Sequence, residues 1–84
     1  GGGELLELAS WVLGRIRSSK TEHKLSMKAP VARVIVRVPA DQVNLLQEAV
    51  PDLREAGVVD QVVVEPAGAG EEATVEVILP QEDG

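Results

Sequence analysis

The chain is predicted to be an α+β domain with element order α-β-α-β-β. Three observations predict it. Apolar residues recur at helical spacing over Leu5–Ile16, alternate into a strand over Val31–Val38, and fill two further valine-rich runs at 58–65 and 73–79. The first two strands, joined by a helix, are expected to pair as a right-handed β-α-β crossover. The last two are expected to form an antiparallel hairpin. The result is a three-stranded mixed sheet with helices packed on one face.

Each element has its own justification. Gly1–Gly3 read as an unstructured lead-in or processing remnant, and residues 4–84 as one small domain. From Glu4 to Lys20 the apolar positions Leu5, Leu8, Ala9, Val12, Leu13 and Ile16 trace one helical face, which Leu6 and Trp11 widen. Glu4 and Glu7 near its start and Arg15, Arg17 and Lys20 near its end suit the helix dipole. Residues 21–30 lack a period, and Ala29 precedes a proline, so a basic loop is expected there.

Residues 31–79 form the β-α-β-β unit. In the first strand Ala32, Val34, Val36 and Val38 share one face, and Arg33, Ile35 and Arg37 the other; Pro39 ends it. Asp41 is placed to cap a helix bearing Val43, Leu45, Leu46, Ala49 and Val50. Pro51 then opens a short second turn, Asp52–Ala56, closed by Gly57 at C′. Val58–Glu65 is the second strand, Pro66–Glu71 a reversal, Ala73–Leu79 the third strand, and Pro80–Gly84 an acidic tail.

Composition narrows the chemistry. Fourteen valines and nine leucines stand beside one tryptophan and no Phe or Tyr, so the core is aliphatic. At 84 residues the fold buries only about 60–65% of its unfolded surface, which leaves a thin stability margin. The absence of cysteine excludes disulfides, thiolate metal sites and thiol nucleophiles. No apolar run reaches the ~20 residues of a membrane span, and a cytoplasmic location is the default expectation. The sole histidine, His23, lies in a polar loop; Glu71 and Glu72 are adjacent in a Gly-rich turn; and the carboxylates do not gather at metal-ligand spacing. No catalytic residue, metal or cofactor is expected in the chain.

The net charge of −6 conceals a division. Residues 1–37 carry seven Lys/Arg against three Glu, whereas residues 38–84 carry only Arg54 against eleven acids. Arg15, Arg17, Lys20, Lys24 and Lys28 are expected to form a basic stripe, which Arg33 and Arg37 extend along the outward face of the first strand. Such a stripe suits RNA phosphates, which require only cations within reach. With Trp11 as the lone aromatic, base-stacking recognition is disfavoured.

Residues 5–38 resemble the C-terminal region of class I aminoacyl-tRNA synthetases of the valine/isoleucine group, most strongly over 16–31, Ile-Arg-Ser-Ser-Lys-Thr-Glu-His-Lys-Leu-Ser-Met-Lys-Ala-Pro-Val. There a last anticodon-domain helix runs through a pattern like I-R-x-x-K-[ST]-x-x-K-L-S-x-[KR]-x-P-V into a strand. Lys20-Thr21 and Leu25-Ser26-Met27-Lys28 are most similar to the bacterial valyl type, with the isoleucyl type second. Lys24–Lys28 also resembles the lysine-serine loop that activates ATP in these enzymes. Only 23 residues precede Lys24, however, and Met follows Ser instead of preceding it, so no ATP site is expected.

The resemblance implies a non-catalytic domain that binds or positions tRNA, expected to be valine tRNA. The parent would be a ligase using ATP and magnesium in other domains. A second reading is a structural clamp: the Leu5–Ile16 helix docks on the parent's anticodon-binding bundle without touching RNA. Exposure of Trp11 would mark that docking face. A third reading is a free-standing interaction module.

Overall fold

The structure, a computed structural model, describes residues 3–80. All of the expected acidic tail Pro80–Gly84 except Pro80, and the first two glycines of the expected lead-in, lie outside them. Helix α1 spans Gly3–Glu22, so Gly3 is already helical. The helix ends in a Schellman motif: Leu25 N–H donates to the Lys20 carbonyl at 2.7 Å and Lys24 N–H to the Thr21 carbonyl at 3.0 Å. Lys24 takes the left-handed conformation this requires, at φ 58°. Lys20 and Lys24 therefore do not continue a single helical row into the loop.

Strand β1 is Val31–Val38, followed by α2 (Ala40–Glu48) and α3 (Val50–Gly57). Two capping expectations are corrected. Pro39, not Asp41, occupies the N-cap of α2 and makes no side-chain bond; Asp41 sits in the first turn, where its charge still faces the positive end of the dipole. Gly57 is the last helical residue of α3, and Val58 takes the left-handed position at φ 54°. The glycine serves a different purpose. A Cβ at Gly57 would lie 3.1 Å from Val59 Cγ2 and 3.2 Å from Ile16 Cδ1, so its missing side chain lets α3 close on α1.

Strands β2 (Val59–Pro66) and β3 (Thr74–Ile78) complete a sheet of order β2-β1-β3. β1 pairs with β2 in parallel, Val34 opposite Val62 and Val36 opposite Val64. The expected hairpin between the last two strands does not form. β3 instead pairs antiparallel with β1, Val34 opposite Val77 and Val36 opposite Val75. The connection over residues 67–73 exceeds the usual length of a hairpin loop, and Ala67 N–H donates to the Val38 carbonyl at 2.8 Å as the chain crosses the end of β1. This places Val75 and Val77 beneath α1, which contacts β3, while α2 and α3 contact β2. On the far side of β2 those valines would lie away from α1.

All three helices cover one face of the sheet. Val12 and Ile16 from α1, Val34, Val36 and Val38 from β1, and Leu46 and Leu53 from α2 and α3 are fully buried there. The opposite face carries Arg33, Ile35, Arg37, Val63, Glu76 and Ile78 without a covering layer. Among the described residues no helix is long and apolar enough to cross a membrane.

Candidate nucleic-acid interface

The seven cations expected to face RNA are distributed over three environments. Lys20 is buried, 1% exposed, and projects inward in register with Val12 and Ile16, four residues apart along α1. Its ammonium donates to the Gly57 carbonyl at 2.8 Å and to the Met27 carbonyl at 2.7 Å. The first is an end carbonyl of α3 that lacks a helical partner, and the negative end of the helix dipole lies there. The cation is thus compensated by backbone, while burial foremost, and the Arg17 charge second, hold its pKa below the ordinary lysine value. This corrects the expectation that Lys20 faces a phosphate: its ammonium is turned inward onto two backbone carbonyls.

Arg33 and Arg37 form the second group. They do not prolong a helix stripe, because they stand on the sheet face opposite the helices. Both are engaged across β2. Arg33 Nε donates to Gln61 Oε1 at 3.2 Å, and Arg37 Nε pairs with Glu65 Oε2 at 3.2 Å. The parallel register sets Arg33 opposite Gln61 and Arg37 opposite Glu65, which makes both contacts.

Arg15, Arg17, Lys24 and Lys28 are exposed. Two residues apart on a helix, Arg15 and Arg17 point to different flanks. Arg15 lines a groove of about 180 Å³ with Ser18, Ser19, Glu22, Val75 and Val77, on the β3 side. Arg17 lies toward Lys20, whose charge it disfavours. Lys24 and Lys28 stand on the α1–β1 loop and make no side-chain hydrogen bond or ion pair among the described residues.

Topology collects these loop cations at one end. β1 and β2 begin there, β3 ends there, and α1 and α3 finish there. Arg54, which lies outside the expected stripe, joins them from α3, where it lines a shallow groove with Pro30, Val31, Val58 and Asp60. Its isolation as the only basic residue after position 37 was the signal that could have found it. The opposite end holds Glu4, Glu7, Asp41, Glu71 and Glu72. The loop end also carries Glu22, Glu55 and Asp60, so its cations are interspersed with acids, whereas the opposite end is predominantly acidic.

Among the described residues no group of three or more His, Asp or Glu could hold a metal ion. Trp11 is half-buried and packs against the core, whereas Leu6 on the same helix is 70% exposed.

Two known proteins are similar to the chain over nearly its whole length. A valine–tRNA ligase from Salinispora tropica is 42% identical over 78 residues, which is 93% of this chain. This chain matches part of a valyl-tRNA synthetase. A second valine–tRNA ligase, from Salinispora arenicola, is also 42% identical, over 76 residues and 90% of the chain. The chain spans 9% of the length of each of these enzymes. A 78-residue match within 84 residues leaves at most six outside it, so it necessarily includes 7–78, from the second turn of α1 through the loop to the end of β3. The valyl-tRNA synthetase resemblance read over residues 5–38 thus extends to nearly the entire chain. No family model and no solved structure matches.

Proposed function

We propose that the chain is a non-catalytic, tRNA-facing C-terminal domain of a cytoplasmic valine–tRNA ligase, whose other domains join valine to its tRNA with ATP and magnesium. Its loop end meets the phosphate backbone through Arg17, Lys24 and Lys28, with Arg54 beside them. The observation that carries this is the near-full-length match to valine–tRNA ligases, which includes the loop holding two exposed lysines without partners among the described residues. Phosphate contacts of this kind fix register and orientation without reading sequence. The acidic opposite end is repelled by the same backbone, which orients the approach. The anticodon or acceptor identity of the tRNA would be read elsewhere in the enzyme.

The test is charge reversal. Lys24→Glu with Lys28→Glu should weaken binding of a valine tRNA transcript and lower the salt dependence by about one unit of slope for each phosphate no longer neutralised. Unchanged affinity at about 50 mM and about 200 mM salt would exclude the loop from the RNA interface.

A specific observation favours a second reading, the structural clamp. Leu6 stands 70% exposed on a helix whose other large apolar residues pack inward. In this reading Leu6 docks α1 on the remainder of the synthetase, and the α/β part braces that joint. Leu6→Glu should then loosen the domain from the parent enzyme while leaving the isolated chain folded.

A further inference from the structure

Lys20 is the one cation of the basic segment that cannot meet RNA, and its geometry gives it another relation to the interface. Its Nζ ties the Met27 carbonyl, in the loop, to the Gly57 carbonyl, at the end of α3. Its own carbonyl accepts from Leu25 N–H at 2.7 Å. One residue therefore fixes the loop at two points, one on each side of Ser26. Further bonds close the loop between and beyond them: Ala29 N–H donates to the Ser26 carbonyl at 2.9 Å, and Lys28 N–H to Ser26 Oγ at 3.2 Å. Lys24 is locked at φ 58° by the Schellman motif, and Lys28 directly follows the anchored Met27. The two exposed ammonium stems thus leave a backbone whose direction Lys20 sets.

We infer that Lys20 is a positioning residue for the RNA interface, holding the 23–29 loop so that Lys24 and Lys28 reach adjacent phosphates without being ordered on binding. The role rests on the reading of that loop as the tRNA contact. Ordering flexible segments on association weakens affinity, and a loop already fixed in the free protein avoids that cost.

The experiment compares four forms of the chain: unaltered, Lys20→Met, Lys24→Ala, and Leu46→Ala as a core-cavity control chosen to destabilise the fold away from the loop. Each is titrated with a valine tRNA transcript across a salt series, and backbone order parameters are measured in the free state. In Lys20→Met the order parameters of residues 23–29 should fall selectively toward values typical of flexible backbone. Its tRNA affinity should drop on the order of tenfold with the salt slope retained, since both loop lysines still reach phosphates once bound. Lys24→Ala should reduce the slope by about one unit, and Leu46→Ala should leave the affinity near that of the unaltered chain.

Four results would overturn the role. Lys20→Met could bind like the unaltered chain, or show the reduced slope of Lys24→Ala, which would make Lys20 itself a phosphate contact. Leu46→Ala could weaken binding as much as Lys20→Met, which would reduce the effect to global stability. Absence of binding by the unaltered chain would overturn the RNA reading, and the positioning role with it; failure confined to Lys20→Met would leave that reading standing.

Discussion

Lys20 Nζ donates to the Gly57 carbonyl at 2.8 Å, joining the last turn of one helix to the last carbonyls of another. The pair depends on both residue types. Gly57 lacks the Cβ that would meet Ile16 Cδ1 at 3.2 Å, and Lys20 supplies a cation where the end of α3 concentrates negative partial charge. Replacing Lys20 by Met keeps much of the stem but leaves the buried Gly57 carbonyl without its donor. The orphaned carbonyl costs about 2 kcal/mol, readable as a lowered urea midpoint at unchanged m-value.

The same residue predicts a pH dependence. Burial, and next the Arg17 charge, lower the folded-state pKa of Lys20. Between that value and the ordinary lysine value the unfolded chain binds more protons than the folded one, so stability rises with pH across this alkaline window. Below it both states are protonated and the contribution is flat. The rise should appear in the unaltered chain relative to Lys20→Met. Arg17→Gln, by removing the second cause, should move its onset to higher pH.

Glycine positions that look alike in sequence should respond oppositely. A Cβ at Gly14, within α1, meets nothing within 4 Å, so Gly14→Ala should stabilise the fold by roughly 0.5–1 kcal/mol through helix propensity. At Gly57 the added side chain meets Val59 and Ile16, and Gly57→Val should destabilise by about 1–3 kcal/mol through overpacking. Thermal unfolding of the two variants beside the unaltered chain checks both signs.

Two residues hold left-handed backbone that glycine adopts more easily, Lys24 and Val58. Val58 is β-branched and 39% exposed, so Val58→Gly should gain about 1 kcal/mol with little burial given up. Lys24→Gly should also stabilise, yet weaken tRNA binding by removing a phosphate partner. Stability up with binding down would separate the two properties of one position; unchanged binding would contradict the assignment of Lys24 to the interface.

Local pattern carried most of the architecture. Helical spacing over Leu5–Ile16 and alternation over Val31–Val38 are properties of contiguous residues, and the elements follow them. Strand pairing is not local. Whether β3 lies beside β2 or crosses to β1 depends on where α1 needs apolar support, and Val75 and Val77 read identically in either position. The interface was legible in charge but not in direction. Lys20 follows Val12 and Ile16 at four-residue spacing and so belongs to the buried row, while only the position of α3 explains why a lysine is stable there. Arg33 and Arg37 alternate outward as expected, but the parallel register that gives them Gln61 and Glu65 as partners lies 28 residues away.

The most direct measurement is a titration of the isotope-labelled chain with a valine tRNA transcript, followed by backbone amide shifts at about 50 mM and about 200 mM salt. The loop-end account predicts shifts at Arg17, residues 23–29 and Arg54 that fade as salt rises, with Arg33 and Arg37 on the far sheet face unmoved. Shifts centred on Arg33 and Arg37, or none at either salt, would contradict it.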